Sequence, residues 1–237
     1  MKRFKNILCV ITTPATGQAL LQRAVTLAGS NQARLTVVAV AEHVSIGMGM
    51  PEGGPVSDGL QAAVVESAQQ KLDQAIAPYR GRSEIRGRVL LGSLFLEIIR
   101  EVLRNGHDLV IKSAEDPEWL DRLLGSEDMH LLRKCPCPVW IGRATESSNY
   151  QKVLAAVDPF DDVSGNLQRL ILDLATSLAE REHADLEIVH AWQLPGESML
   201  RNGRGRIPND ELDVLLQVRE KRHRKALGTL LADYGLN

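Results

Sequence analysis

One series of strand, turn, helix and strand is written twice in this chain, and that recurrence limits the possible folds more than any other feature. Residues 5–40 carry an apolar run, a Pro- and Gly-containing turn, an amphipathic stretch and a second apolar run; residues 152–191 carry the same series. Ile7-Leu8-Cys9-Val10-Ile11 answers to Val153-Leu154-Ala155-Ala156-Val157, and Leu21-Gln22-Arg23 to Leu167-Gln168-Arg169. Ala33-Arg34-Leu35-Thr36-Val37-Val38 answers to Ala184-Asp185-Leu186-Glu187-Ile188-Val189. A single folding unit has no need of such self-similarity, so two related α/β units are expected. The second is expected to be partial, because the sequence stops at Asn237 after only two strands and two helices of it.

Residues 7–11 form an unbroken apolar run with polar flanks, as a parallel strand buried on both faces requires. Leu20, Leu21, Ala24, Leu27 and Ala28 then recur at helical spacing, and 35–41 reads as the second strand. The Gly- and Pro-dense stretch 47–55, with Met48 and Met50, reads as a loop. Beyond it the pattern predicts a helix over 59–76, a strand over 88–91, a helix around Leu94 to Val102 and a strand over 108–112. Leu120, Leu123, Leu131 and Leu132 mark an interrupted helical region before a last strand at 138–142. Strands alternating with helices in this way specify parallel strands joined by helical crossovers. The polar, patternless stretch 144–149 reads as a linker. After it come a strand at 153–157, a helix over 164–182, a strand at 186–191, a loop over 195–208 and a long helix over 210–234.

With 44% hydrophobic residues in a chain of 237, there is ample material for a core. A formal net charge of -2 offers nothing to a phosphate backbone, so no nucleic-acid partner is expected. The basic run Lys221-Arg222-His223-Arg224-Lys225 lies among Glu211, Asp213 and Glu220 and reads as a solvated helix face. Met1-Lys2-Arg3 leads into a strand instead of a secretory signal, and no stretch is apolar and long enough to span a bilayer. A cytoplasmic protein without a membrane partner is expected. Its three cysteines include Cys135-Pro136-Cys137, which lacks the two-residue separation of zinc and thioredoxin-like pairs. They read as structural, with no metal.

The order of elements, the Pro-Cys-Pro-Val-Trp ending of the first unit at 136–140, and the Leu-Ala-Ala-Val-Asp-Pro opening of the second at 154–159 resemble the universal stress protein family. Residues 108–112, followed by Leu131-Leu-Arg-Lys-Cys-Pro-Cys-Pro-Val-Trp140, look especially like the N-terminal half of its tandem E-type members. The resemblance implies a Rossmann-like, adenine nucleotide alpha hydrolase-like α/β fold. It would comprise a parallel five-stranded sheet flanked by helices over 1–145 and a second, incomplete copy over 150–237.

The resemblance also implies where a nucleotide would sit. Family members that bind ATP carry a loop Gly-x2-Gly-x9-Gly-Ser/Thr after the fourth strand, and an Asp at the end of the first strand that contacts the adenosine portion. Here Lys112 and Glu115 replace the first two glycines, Thr12 replaces the aspartate, and only Gly125 and Ser126 match the loop. In the second unit Asp158 matches the aspartate, without a phosphate loop after it. Glycine matters because a side chain at such positions blocks close backbone approach and disfavours positive φ. Glu127 and Asp128 follow Ser126 at the expected first turn of a helix, where each carboxylate gains about 0.3–1 kcal/mol from the helix end. They stand electrostatically in place of a phosphate, with Ser126 as the N-cap.

His107-Asp108 suggests an acid/base pair, but no nucleophile with a fixed partner accompanies it, and no enzyme is expected. His130 reads as helix surface, and His190 as a hydrogen-bonded core histidine. Trp119, Trp140 and Trp192 read as packing residues, although Trp192 stands where a ligand crevice would open. A non-enzymatic role in stress response follows from the resemblance, through ligand sensing or protein contacts. No cofactor is required, and any ATP binding would be weak. The alternatives are an ATP site in the second unit built on Asp158, and a carrier of a small apolar ligand in the space between the two units, suggested by the loop with Met48 and Met50. Self-association as a homodimer or larger species is expected, because a partial second unit leaves strand edges and apolar faces uncovered.

Overall fold

The computed structural model describes residues 3–12, 14–44, 55–81, 84–114, 127–143, 150–160, 166–203 and 205–235. Met48, Met50, Glu115, Trp119, Gly125, Ser126 and the linker 144–149 lie outside them. The chain divides into two compact units, 1–146 and 147–237.

In the first unit, strands β1 (Asn6–Val10), β2 (Arg34–Ala41), β3 (Ile85–Leu91), β4 (Leu109–Ser113) and β5 (Val139–Gly142) make one sheet in the order β3-β2-β1-β4-β5. All four pairings are parallel. Between the strands run α1 (Pro14–Asn31), α2 (Pro55–Ile76), α3 (Leu94–Asn105) and α4 (Glu127–Lys134). The apolar run of β1 has no alternation because both faces are covered. Ile7 and Cys9 pack with Leu21, Ala24 and Leu72 on one side, while Leu8 and Val10 pack with Ile98, Val102 and Leu131 on the other. Burying each Leu, Ile or Val among them contributes about 1.5–3 kcal/mol.

Strand β3 begins three residues before the predicted 88. It is an edge strand, and Arg86, Gly87 and Arg88 interrupt the hydrophobicity by which a buried strand is read. Helix α3 stops where Gly106 takes φ +65°, its N–H donating to the Val102 carbonyl. The chain then turns straight into β4, held to β1 by Asp108, whose carboxylate accepts the Lys5 and Asn6 N–H groups at 2.6 and 3.1 Å.

The second unit pairs β6 (Lys152–Ala156) in parallel with β7 (Asp185–Val189) and adds α5 (Leu167–Glu182), α6 (Glu197–Asn202) and α7 (Asn209–Ala232). Val153 and Ala155 face Ala175 and Ala179 of α5. Leu154 and Val189 are 65% and 40% exposed. Helix α6 lies inside the stretch expected to be a loop; six residues are too few to show helical periodicity in sequence.

The written repeat is reproduced in backbone detail. Ala33 N–H donates to the Ala28 carbonyl and Ala184 N–H to that of Ala179, each at 2.9 Å. The residues before them, Gln32 and His183, close their helices with φ +53° and +54°. At the far end of the strands Ile11 N–H reaches the Val38 carbonyl at 2.9 Å, as Val157 N–H reaches that of Val189 at 3.0 Å.

Candidate functional site

The chain order reverses between β1 and β4, and in open α/β sheets ligands bind outside the carboxyl ends of the strands at such a point. Two residues singled out in the sequence, Thr12 and Lys112, lie there. Thr12 follows β1, and its Oγ1 lies 2.9 Å from Oγ of Ser113 at the end of β4. Lys112 precedes Ser113 and points to the α3/α4 side of the sheet, the side taken by Val110 in the same strand.

Lys112 is fully buried, which only a satisfied ammonium tolerates. Its Nζ lies 2.6 Å from Asp128 Oδ1 in the first turn of α4, and it donates to the Ser113 carbonyl at 3.1 Å. The Asp128 side chain is 6% exposed. The two acidic residues expected to support one helix end therefore divide between two. Asp128 serves α4 and Lys112, whereas Glu127 Oε2 accepts the Phe95 N–H in the first turn of α3 at 2.8 Å. That split is invisible to a reading along one helix. Glu115, Gly125 and Ser126 fall outside the described residues, so the loop half of the expected site is not placed.

Asp158 stands two residues past β6, as Thr12 stands two past β1. Its side chain is 56% exposed, and Oδ1 accepts the Phe160 N–H at 3.0 Å while its own N–H donates to Gln168 Oε1 at 2.8 Å. Next to it is an aromatic cluster that no local motif announces. His190 Nδ1 lies 3.0 Å from the Val157 carbonyl and 3.9 Å from Asp158 Oδ1, and its Nε2 is 2.7 Å from His223 Nδ1. Trp192 stacks on His223 with centroids 4.8 Å apart, Phe160 meets the same ring edge-on at 4.6 Å, and Arg222 sits 5.3 Å over Phe160. Burial pushes His223 below its usual pKa, and the neighbouring His190 adds to that. The reading of 221–225 as a wholly solvated face needs correction at His223, which turns inward while its four neighbours stay exposed. His190 is hydrogen-bonded, as predicted, but lies just past its strand.

The His107-Asp108 pair does not converge on anything reactive. Asp108 clamps the β1 backbone, and His107, 5% exposed, points at Glu101, whose Oε1 is 3.7 Å from Nε2. Glu101 is 2% exposed and paired with Arg88 at 3.1 Å. Among the described residues no cluster of His, Cys, Asp and Glu fits a metal ion, and no helix is long and apolar enough to cross a membrane.

Universal stress protein E of Escherichia coli is 29% identical over 150 residues, covering 60% of this chain and 45% of that protein. The universal stress protein E homolog of Haemophilus influenzae is 26% identical over 200 residues, covering 80% of this chain and 65% of its own length. The chain thus spans 45% and 65% of the length of these two relatives. A crystal structure from Pseudomonas aeruginosa assigned to the universal stress proteins superposes with a TM-score of 0.63 at 25% identity, covering 100% of this chain and 72% of that one. The profile of the universal stress protein family matches residues 3–143, which contain the whole five-stranded sheet, and the chain belongs to that family.

Proposed function

We propose that this protein acts without catalysis in a cytoplasmic stress response, by sensing a ligand or contacting other proteins, and that its first unit has given up nucleotide binding. The observation that carries this reading is the buried Lys112–Asp128 pair at 2.6 Å. A phosphate approaching the start of α4 would meet a carboxylate already there, and the Lys112 ammonium at the strand end is committed to it. Titration of the full chain with ATP and magnesium tests the proposal. Low-micromolar binding that survives Asp158→Ala would locate a working site in the first unit and overturn it.

The second unit is read as a partial copy of the family domain, and it supports the alternative of a nucleotide site there. The exposed Asp158 carboxylate sits beside a platform of Phe160, His190, Trp192 and His223. Flat rings of this kind are suited to stacking a base. Self-association is proposed from the same unit, where Leu154, Val214 and Val218 are 65%, 58% and 60% exposed. Sedimentation across a concentration series tests it: a species that stays monomeric at high micromolar concentration would refute self-association.

A further inference from the structure

We propose that Cys135 and Cys137 are a reversible disulfide site, oxidised by low-molecular-weight disulfides of the glutathione class. Their Sγ atoms lie 3.7 Å apart in the turn between α4 and β5, and both side chains are half-exposed. Bond formation needs the sulfurs to close to about 2.05 Å. Pro136 between them is exposed and has no N–H to surrender, while the Pro138 carbonyl accepts the Val110 N–H at 3.0 Å and keeps the far side of the turn anchored to β4. The sequence alone suggests structural cysteines because the spacing fits no zinc or thioredoxin-like pair; the side-chain geometry adds the contact.

The two sulfurs have unequal roles. A thiolate at Cys135 is disfavoured by the C-terminal end of α4, but Arg133 and Lys134 share that turn. Hydrogen bonding from the Cys137 thiol, helped by the Cys137 backbone N–H and opposed by partial burial, lowers the Cys135 thiol to about 7. Cys137 is pushed up, first by its hydrogen bond to Cys135 and then by burial. Cys135 is therefore the attacking group and Cys137 the resolving one. The Cys135 thiolate attacks one sulfur of the small disulfide, whose S–S bond breaks; one small thiolate departs and takes up a proton. Cys137 then loses its proton to solvent, attacks Cys135 Sγ and expels the second small thiolate, which is protonated in turn. Two protein thiols are oxidised to one disulfide, and one small disulfide is reduced to two thiols.

Cys9 serves as an internal control. It is fully buried in β1, and burial raises its thiol to about 12, so it should stay reduced.

The test uses the full chain, exposed to glutathione disulfide, alkylated with iodoacetamide and digested with trypsin. Both cysteines fall in one peptide, 135–143, between Lys134 and Arg143. That peptide is expected to be lighter by two hydrogens and to carry no alkyl group, with dithiothreitol restoring both alkylation sites and Cys9 remaining a thiol throughout. Cys137→Ser is expected to accumulate glutathione on Cys135, because the resolving thiol is gone. Full alkylation of 135–143 after exposure would overturn the proposal. So would a stable glutathione adduct on the unsubstituted protein, or bonds that link two chains. The measurement on the unsubstituted protein decides the matter even if the serine variant fails to fold.

Discussion

Lys112 and Asp128 neutralise each other inside the first unit, across 16 positions of sequence, with the ammonium wholly out of water. Neither charge is tolerable there alone. Lys112→Met should lower stability by about 3–5 kcal/mol, because it strands a buried carboxylate. The double variant Lys112→Met with Asp128→Leu should recover most of that loss, since apolar pairs of similar volume often replace buried ion pairs at little cost. Urea unfolding of the three proteins checks both statements. Equal losses in the single and double variants would mean that the pair is not a coupled one.

Acid should weaken the first unit through His107. Burial lowers its pKa from the ordinary 6.5, and the Glu101 carboxylate only partly opposes that. The unfolded chain therefore takes up a proton at a pH where the folded one does not, and stability rises with pH across that interval. Stability is highest above 6.5 and falls as the pH drops from 6.5 towards the lower folded value. His223 is shifted the same way and adds with the same sign in the second unit. Unfolding curves collected from neutral to about pH 5 should show the fall, and His107→Phe should flatten it.

Any affinity for nucleotide should depend on Asp158 more than on Thr12. Asp158→Ala should reduce ATP binding while far-ultraviolet circular dichroism stays unchanged, because the lost Asx turn to Phe160 is worth only about 0.5–1.5 kcal/mol. Titration of both proteins is the measurement, and equal affinity would remove Asp158 from the site.

The exposed C-cap of α5 offers a stabilising substitution. His183 holds φ +54°, which costs a side chain about 1–2 kcal/mol, whereas glycine adds about 0.4–1 kcal/mol of unfolded-state freedom. His183→Gly should therefore raise stability by up to about 1 kcal/mol, read as a higher midpoint in thermal unfolding of the second unit.

How much of this was legible in the sequence depends on whether the signal is local. The run at 7–11 announces β1 because burial on both faces leaves nothing polar inside it; the matched run at 153–157 announces β6 by its apolar residues, although only Val153, Ala155 and Val157 of it are buried. Lys112 was legible as the residue to watch, because a charged side chain closes the apolar run that announces β4. Its partner was not. Asp128 and Glu127 are adjacent in sequence but serve different helices, a division set only by how α3 and α4 lie together. His190 and His223 stand 33 positions apart, and His223 hides among four basic residues that remain in water. Helix α6 and the start of β3 escaped because one is too short and the other too polar for periodicity to register.

The Glu127 contact with Phe95, taken with the Asp128 contact with Lys112, gives the first unit two built-in competitors. The positive ends of α3 and α4 each have a carboxylate from this chain, so a free anion approaching either must displace a rival that never diffuses away. Even a loosely tethered group is present at an effective concentration in the millimolar range, and one fixed by packing stands higher. At equal intrinsic affinity, an anion at micromolar concentration would rarely win that exchange.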